Sequence, residues 1–427
     1  MKTTFSLLLY ILATLPMMAQ KTIEVSVSNP LSSPRSDQPV VMSIDSYDMN
    51  VCSALVTCDG TEIPSQLDDI NQDGIFDELC FLADLKGKEK KNYLITLSPE
   101  GEPRTYPARV YAEMVLANTK DKKLKKHQQN NYIEAITARG DAAYTYNIQH
   151  HHGVAFESEL NAIRIYFDAR QTLDLYGKYR QGLELKDTQF YTADEQKQQG
   201  YGDDVLWVGQ TFGLGAFRGW DGHQPTLVEP VRSRTQRIIS YGPLRTIVEV
   251  IDRGWQAPSS LSPHPSSISP QTSDITHHPS SITMTLRYTQ YAGHRDTDVD
   301  VLFDKDVSAY RFSTGIINVK GSEEFSDKRG LRACWGTDYP STDTLKWKRE
   351  TVGLAVYVPQ KNIAHEEAAN KDNYTYVIKV DGTSMHYKVN YTSANEQYGY
   401  HSAKEWFTYL QAWKREVEHP IVFKEKK

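Results

Sequence analysis

Three stretches of this sequence gather side chains that can bind ions or move protons. The first is Asp68-Asp69-Ile70-Asn71-Gln72-Asp73-Gly74-Ile75-Phe76-Asp77-Glu78. Alternating oxygen donors followed by a glycine suit a hard cation: Asp69, Asn71 and Asp73 supply side chains, Gly74 the sharp turn and Ile75 a carbonyl. Asp77 stands where the ninth position of an EF-hand loop falls, but the twelfth is Cys80 rather than glutamate, and no helix pattern flanks the run. A structural calcium ion held by a β-loop is the expectation. The alternative is an Asp/Asn/Gly hairpin loop with solvated carboxylates.

The second stretch runs His150-His151-His152-Gly153-Val154-Ala155-Phe156-Glu157, with Arg164-Ile165-Tyr166-Phe167-Asp168 close behind. Strand alternation puts Ile163, Ile165 and Phe167 on one face and Arg164, Tyr166 and Asp168 on the other. A polar face of that kind can line a cleft. An elimination at a uronate would use Arg164 to neutralise the carboxylate, His152 as base and Tyr166 as proton donor to the departing oxygen, with Lys178 as an auxiliary charge. A hydrolase would instead pair Glu157 with Asp168. The competing reading is a solvated outer face carrying an Arg–Asp pair. A transition-metal site from His150, His152 and Glu157 is a further reading that the spacing does not select.

The third is Asp174-Leu175-Tyr176-Gly177-Lys178, with Glu184 and then Gly200-Tyr201-Gly202-Asp203-Asp204 beyond it. Aromatic and charged residues beside glycines suit a binding loop, and ordinary surface loops equally. Gly213-x-Gly215 lacks the third glycine of a dinucleotide site.

These groups must be carried on β-structure. Ile23, Val25 and Val27 alternate with polar residues, and strand-like runs follow at 40–44, 54–57, 79–85 and 93–97 at the short spacing of a sandwich. The pattern breaks at Ser98, Pro99, Gly101 and Pro103, which sets a first domain at 20–103 and a second at 104–427. In the second, runs at 144–148, 162–168, 205–208, 237–240, 244–251, 282–288, 298–303, 353–358 and 374–380 read as strands. Ser402 and Glu405 form a capping box before Trp406, Leu410, Trp413 and Val417 at helical spacing, so one helix packing its Trp pair against a sheet is expected. The expected class is therefore all-β, a small N-terminal β-sandwich followed by a large one with a single late helix. Residues 257–281 are a Ser/Pro/His tract unable to build a core, and are expected to be a disordered insertion.

Composition narrows the partners. The 427 residues carry 48 Lys+Arg against 54 Asp+Glu, a formal charge of -6, which excludes a strongly basic nucleic-acid footprint. Lys2, the apolar run 5–15 and the small residues before Gln20 form a secretory signal peptide, so export to the periplasm or beyond is expected, with residues 1–19 removed. No segment reaches the roughly 20 apolar residues of a membrane span. Four cysteines (Cys52, Cys58, Cys80, Cys334) do not make a disulfide scaffold; buried free thiols, or a bridge from Cys52 to Cys58 or Cys80, are the readings. The 26 Tyr and 7 Trp suit sugar faces as well as Tyr-rich sheets.

The runs IPSQLDDINQDGIFDELCFLADL, HHGVAFESELNAIRIYFDARQTLDLYGK and YGPLRTIVEVIDRGW resemble the family labelled domain of unknown function 4861, over nearly all of the mature chain. The resemblance implies an exported protein of glycan-degrading bacteria, encoded near enzymes for pectin-like, uronate-containing polysaccharides. It also implies a large sandwich of the galactose-mutarotase type. It brings no catalytic residue, and the Ser/Pro/His tract departs from its pattern. The expectation is a monomer acting on an acidic oligo- or polysaccharide, as a polysaccharide lyase or related glycosidase. The alternatives are a non-catalytic glycan-binding protein and a mutarotase- or epimerase-like enzyme.

Overall fold

The computed structural model describes residues 20–118, 123–140, 147–258 and 281–426. The signal segment 1–19 and most of the 257–281 tract lie outside them, as do three residues of the 144–148 run.

Alternation of apolar and polar residues builds the N-terminal sandwich. Lys21–Ser28, Lys90–Ser98, Ser53–Cys58 and Thr61–Ile63 form one sheet; Arg35–Ser43, Glu78–Leu85 and Ser65–Asp68 form the other. Val25, Val27, Val56 and Ile95 meet Val40, Leu79 and Phe81 between the layers. One strand comes from the far end of the chain. Val422–Glu425 pairs antiparallel with Lys21–Ser28 and completes a five-stranded sheet, so the first domain is not closed within 20–103.

The second unit is a larger sandwich. Its broad layer is a nine-stranded antiparallel sheet in the order Ala135–Arg139, Ser233–Tyr241, Arg245–Trp255, Ile282–Tyr291, Asp296–Phe303, Ser384–Ser393, Glu350–Tyr357, Leu331–Asp338, Glu323–Ser326. In Ile282–Tyr291 every second residue from Ile282 to Tyr288 is buried, the signature of one face on the core. The opposing layer consists of two five-stranded sheets. Gly213 bridges to Leu173 in one, and Leu214 to Ile316 in the other, so a short irregular segment stitches the halves together. Side chains from all three sheets share one core. The fold is all-β, as expected, with strands supplying both sandwiches.

The helix Ala403–Glu418 starts at Ser402, whose Oγ accepts the Glu405 amide at 3.3 Å. Glu405 reaches back to the His401 amide at 2.9 Å. Trp406, Leu410 and Trp413 bury against Leu331, Ala333, Ala355 and Tyr357 on the outer face of the broad sheet. All four cysteines are free thiols. Residues 205–208 are irregular rather than a strand: Asp204 Oδ1 accepts the Leu206 amide at 3.2 Å, bending the chain and leaving Trp207 exposed. Among the described residues no helix is long and apolar enough to cross a membrane.

Candidate functional site

The strands Gly153–Ser158, Ala162–Tyr166 and Leu173–Gly177 are consecutive antiparallel neighbours. Their register sets Gly153 opposite Tyr166 and Arg164 opposite Asp174. Their outer face is not solvated. The segment around Leu185–Thr188 folds over it, so that Leu185 and Phe190 pack on Ala155, Ala162 and Tyr176.

Three of the expected residues meet under that cover. Arg164 donates Nε and Nη2 to Asp174 Oδ2 at 3.0 and 2.6 Å, and Nη2 also to the Tyr166 hydroxyl at 3.1 Å and Asp204 Oδ2 at 3.0 Å. The Tyr166 hydroxyl donates to Asp174 at 2.5 Å. The His152 ring stands edge-on to Tyr166 with centroids 6.2 Å apart, and its Nε2 lies 3.2 Å from the Tyr191 hydroxyl. Phe190 lies under the guanidinium, 4.2 Å from its centre.

The environment fixes the charges. Burial and then the neighbouring Asp174 carboxylate push Asp204 well above the usual carboxylate range. Burial likewise raises the Tyr166 hydroxyl. Burial opposes the Arg164 charge, but the oxygens of Tyr166, Asp174 and Asp204 around it hold its pKa above the ordinary value. Burial thus disfavours the charge on Asp204, while the Arg164 guanidinium beside it favours it.

His152 is half-buried, and its backbone sits at φ 67. That left-handed conformation costs a non-glycine residue about 1–3 kcal/mol and is concentrated at functional sites. It is held by the His152 amide on the Gln149 carbonyl at 3.2 Å and the Phe167 amide on the His152 carbonyl at 2.8 Å. Behind it, His151 is fully buried, with Nδ1 2.7 Å from the Gly153 carbonyl and Nε2 3.2 Å from Glu113.

The other expected residues go elsewhere. Arg164 commits Nε and Nη2 to Asp174, Asp204 and Tyr166, and its buried Nη1 is the one donor of the fork without a hydrogen-bond partner. Lys178 and Glu157 form a wholly buried ion pair at 2.6 Å instead of flanking a cleft. Lys178 also binds the Ser158 and Gly182 carbonyls, and Glu157 accepts the Glu184 and Leu185 amides. Asp168 is bound by Arg170 at 2.6 Å, whose guanidinium covers the Tyr166 ring at 4.9 Å. Glu157 pairs with Ala162, so Asp168, beyond Tyr166, lies more than about 13 Å along the sheet, outside either glycosidase spacing of about 5–10 Å. Tyr191, Asp174 and Asp204, rather than Lys178, Glu157 or Asp168, surround Arg164.

In the 68–78 loop, side chains accept the loop's own amides. Asp69 takes the Asp73 and Gly74 amides at 3.1 and 2.7 Å, Asn71 that of Asp73 at 2.8 Å, and Asp73 that of Ile75 at 2.9 Å. Asp77 takes those of Ile70 and Asn71 at 2.6 and 3.0 Å. Among the described residues no three His, Cys, Asp or Glu side chains converge as a metal ion requires. The bonded oxygens of Asp69 and Asp73 each retain a second lone pair, whereas Asp77 Oδ2 takes two amides.

Among solved structures the chain is similar to a glycosyl hydrolase family 38 protein from Enterococcus faecalis, with 10% identity and a TM-score of 0.48 over 96% of this chain and 48% of that one. It is also similar to an α-mannosidase from Enterococcus faecalis V583, with 8% identity and a TM-score of 0.46 over 95% and 46% of the two chains. The chain spans about half the length of these structures. No curated protein matches it. The family described as domain of unknown function (DUF4861) matches residues 27–422, nearly the whole chain, and the protein belongs to that family.

Proposed function

We propose that this is an exported carbohydrate-active protein acting on acidic, uronate-containing glycans of the pectin type, with His152 and Tyr191 as its acid–base pair. The carrying observation is the half-buried His152, held in left-handed backbone with Nε2 at 3.2 Å from the Tyr191 hydroxyl. A histidine changes protonation near neutral pH, and a tyrosine beside it can relay a proton. In an elimination, His152 takes the proton from the carbon next to the uronate carboxylate. Tyr191 gives a proton to the departing glycosidic oxygen, and the ring gains a double bond. The buried Arg164–Asp174–Tyr166 network fixes the position of the pair rather than touching substrate. In this reading a calcium ion taken up by the 68–78 loop is structural.

A second reading, a non-catalytic glycan binder, is favoured by one feature. Trp207 is 52% exposed at the rim of a 400 Å³ cavity that Asp338 and Glu350 also line. An aromatic face beside carboxylates suits a sugar ring without any bond being broken.

Purified protein incubated with uronate-containing oligosaccharides separates the two, read by ultraviolet absorbance of an unsaturated product and by reducing-end release. His152→Asn keeps a residue tolerant of positive φ while removing the base. It is expected to lower the rate by about 10²–10⁴ at an unchanged melting temperature. Turnover at the wild-type rate in His152→Asn and Tyr191→Phe refutes the acid–base assignment.

A further inference from the structure

The cavity beside Trp207 opens where several strands of the large sandwich end. The 205–211 loop and the 317–320 segment enclose it together with Asp338 and Glu350, which are direct partners across two neighbouring strands. Its 400 Å³ is in the range of small-molecule sites. None of its lining residues belongs to the His152–Tyr191 cluster.

Trp207 is a ring held open on a braced loop. Arg170 Nη1 donates to the Gly209 carbonyl at 2.9 Å, and buried Arg218 donates to the Gln210 and Thr211 carbonyls at 2.9 and 2.5 Å. Just beyond the loop, Asn373 Oδ1 accepts the Phe212 amide at 2.9 Å. The indole nevertheless stays 52% exposed. A large ring left in water by a fixed loop, at the mouth of a cavity, is a surface kept for a partner. Its bracing also spares part of the ordering cost of binding.

The polar groups around the ring are mixed and open. Lys320 and Lys371 are exposed, and neither forms an ion pair among the described residues. The Tyr339 hydroxyl and Trp207 Nε1 likewise have no hydrogen-bond partner there, and neither residue is buried. Asp338 and Asp372 add carboxylates, and Glu350 a third, bound at Oε2 by Asn395 at 2.6 Å. Burial raises the Glu350 carboxyl above its usual range, against the opposing Asn395 bond. Two ammonium groups beside three carboxyl groups leave no positive surplus, so the lining does not select an anion. Donors and acceptors side by side suit hydroxyl groups, each of which both donates and accepts. A uronate carboxylate only accepts, and would meet repulsion from Asp338 and Asp372.

We propose that this cleft is a subsite for a neutral hexose unit, with one pyranose C–H face on Trp207 and the hydroxyls shared among Lys320, Lys371, Asp338 and Tyr339. The ring supplies apolar area and the mixed wall supplies orientation. The inference rests on the reading of this chain as a carbohydrate-active protein, and not on the acid–base pair.

Calorimetric titration and tryptophan fluorescence with galactotriose, mannotriose and cellotriose test the site, with trigalacturonate as competitor. At least one neutral trisaccharide is expected to bind saturably, and excess trigalacturonate is expected to leave it bound. Trp207→Ala removes an exposed ring, and should weaken binding at least about tenfold at an unchanged melting temperature. Lys371→Met keeps the aliphatic stem and removes a donor, and should weaken it roughly fivefold. His152→Asn is expected to bind the neutral sugar as the wild type does. Neutral-sugar binding without any turnover of uronate oligosaccharides upholds this subsite while refuting the acid–base pair. The subsite is overturned by no saturable binding of any of the three neutral sugars, whatever the uronate turnover. It is equally overturned by displacement with trigalacturonate, by wild-type affinity in Trp207→Ala, or by loss of binding in His152→Asn.

Discussion

Lys178 and Glu157 offer the sharpest test of whether buried charge here serves chemistry or architecture. Both side chains are 0% exposed, and Lys178 Nζ spends its three donors on Glu157 Oε2, the Ser158 carbonyl and the Gly182 carbonyl at 2.6–2.7 Å. Lys178→Met keeps the aliphatic stem but leaves Glu157 charged among apolar neighbours. Breaking one side of a buried pair costs about 3–5 kcal/mol, whereas replacing both partners is often near neutral. The Glu184 and Leu185 amides still hold Glu157, which places the loss at the lower end. At a urea m-value of about 3 kcal/mol per molar, the unfolding midpoint falls by on the order of 1 M. Lys178→Met with Glu157→Gln should recover about half of that. The pH dependence has a definite sign. Burial already raises the Glu157 carboxyl above its usual range, and losing Lys178 raises it further. A carboxyl raised in the folded state costs stability as pH rises through the folded value, so the deficit of Lys178→Met shrinks on acidification. Equilibrium unfolding by fluorescence at two pH values reads both effects. An unchanged midpoint in Lys178→Met, together with lost turnover, refutes the architectural reading and returns the pair to the reacting centre.

Other perturbations follow from the same geometry. Arg245 binds Asp68 at 2.8 Å and Glu78 at 2.7 Å across the seam between the sandwiches, so Arg245→Met should cost about 3–5 kcal/mol by urea melting. Burial works against the charge of His294, but Asp296 and the Asp37 carbonyl outweigh it and raise its pKa, with Lys388 opposing them. Its contribution is therefore full below about pH 6.5 and is lost as pH climbs through the raised folded value. The melting-temperature gap between wild type and His294→Gln should close over that climb, and a constant gap refutes the assignment. Calcium in the 68–78 loop should raise the melting temperature of chelator-treated protein and leave an Asp73→Asn/Asp77→Asn variant unmoved; no shift in the wild type rejects the ion.

Alternation made most strands legible: the runs at 79–85, 93–97 and 282–288 lie inside Glu78–Leu85, Lys90–Ser98 and Ile282–Tyr291. The capping box located the helix, and helical spacing marked Trp406 as core. Two kinds of feature were hidden. Val422–Glu425 is four residues long and finds its partner strand at the opposite end of the chain, where no local pattern points to it. The partner of Arg164 depended on register: a face shared with Asp168 suggested that residue, but cross-strand pairing delivers Asp174, and the covering segment delivers Tyr191 and Phe190. The 205–208 run had strand composition, yet Asp204 capping the Leu206 amide and Arg170 binding the Gly209 carbonyl fix it as a loop.

The seam between the two sandwiches is built from directional polar bonds. Gln66 accepts the Leu244 and Arg245 amides and donates to Ser240 and the Arg245 carbonyl, so a buried side chain completes the backbone bonding of the broad sheet. Arg109 joins Asp37 to Glu159, and His294 meets the Asp37 carbonyl at 2.7 Å. Arg35 holds the helix end through the His419 carbonyl, from which the chain runs on to add Val422–Glu425 to the first sheet. Each of these bonds is directional, and a small rotation of one sandwich against the other would leave several buried polar groups unpaired at about 1–3 kcal/mol each. An apolar boundary of the same area could slide at much smaller cost, because dispersion and hydrophobic burial have no preferred direction. The polar seam therefore fixes the angle between the sandwiches. With that angle fixed, Arg35 of the first sandwich reaches the Glu416 and His419 carbonyls at the helix end.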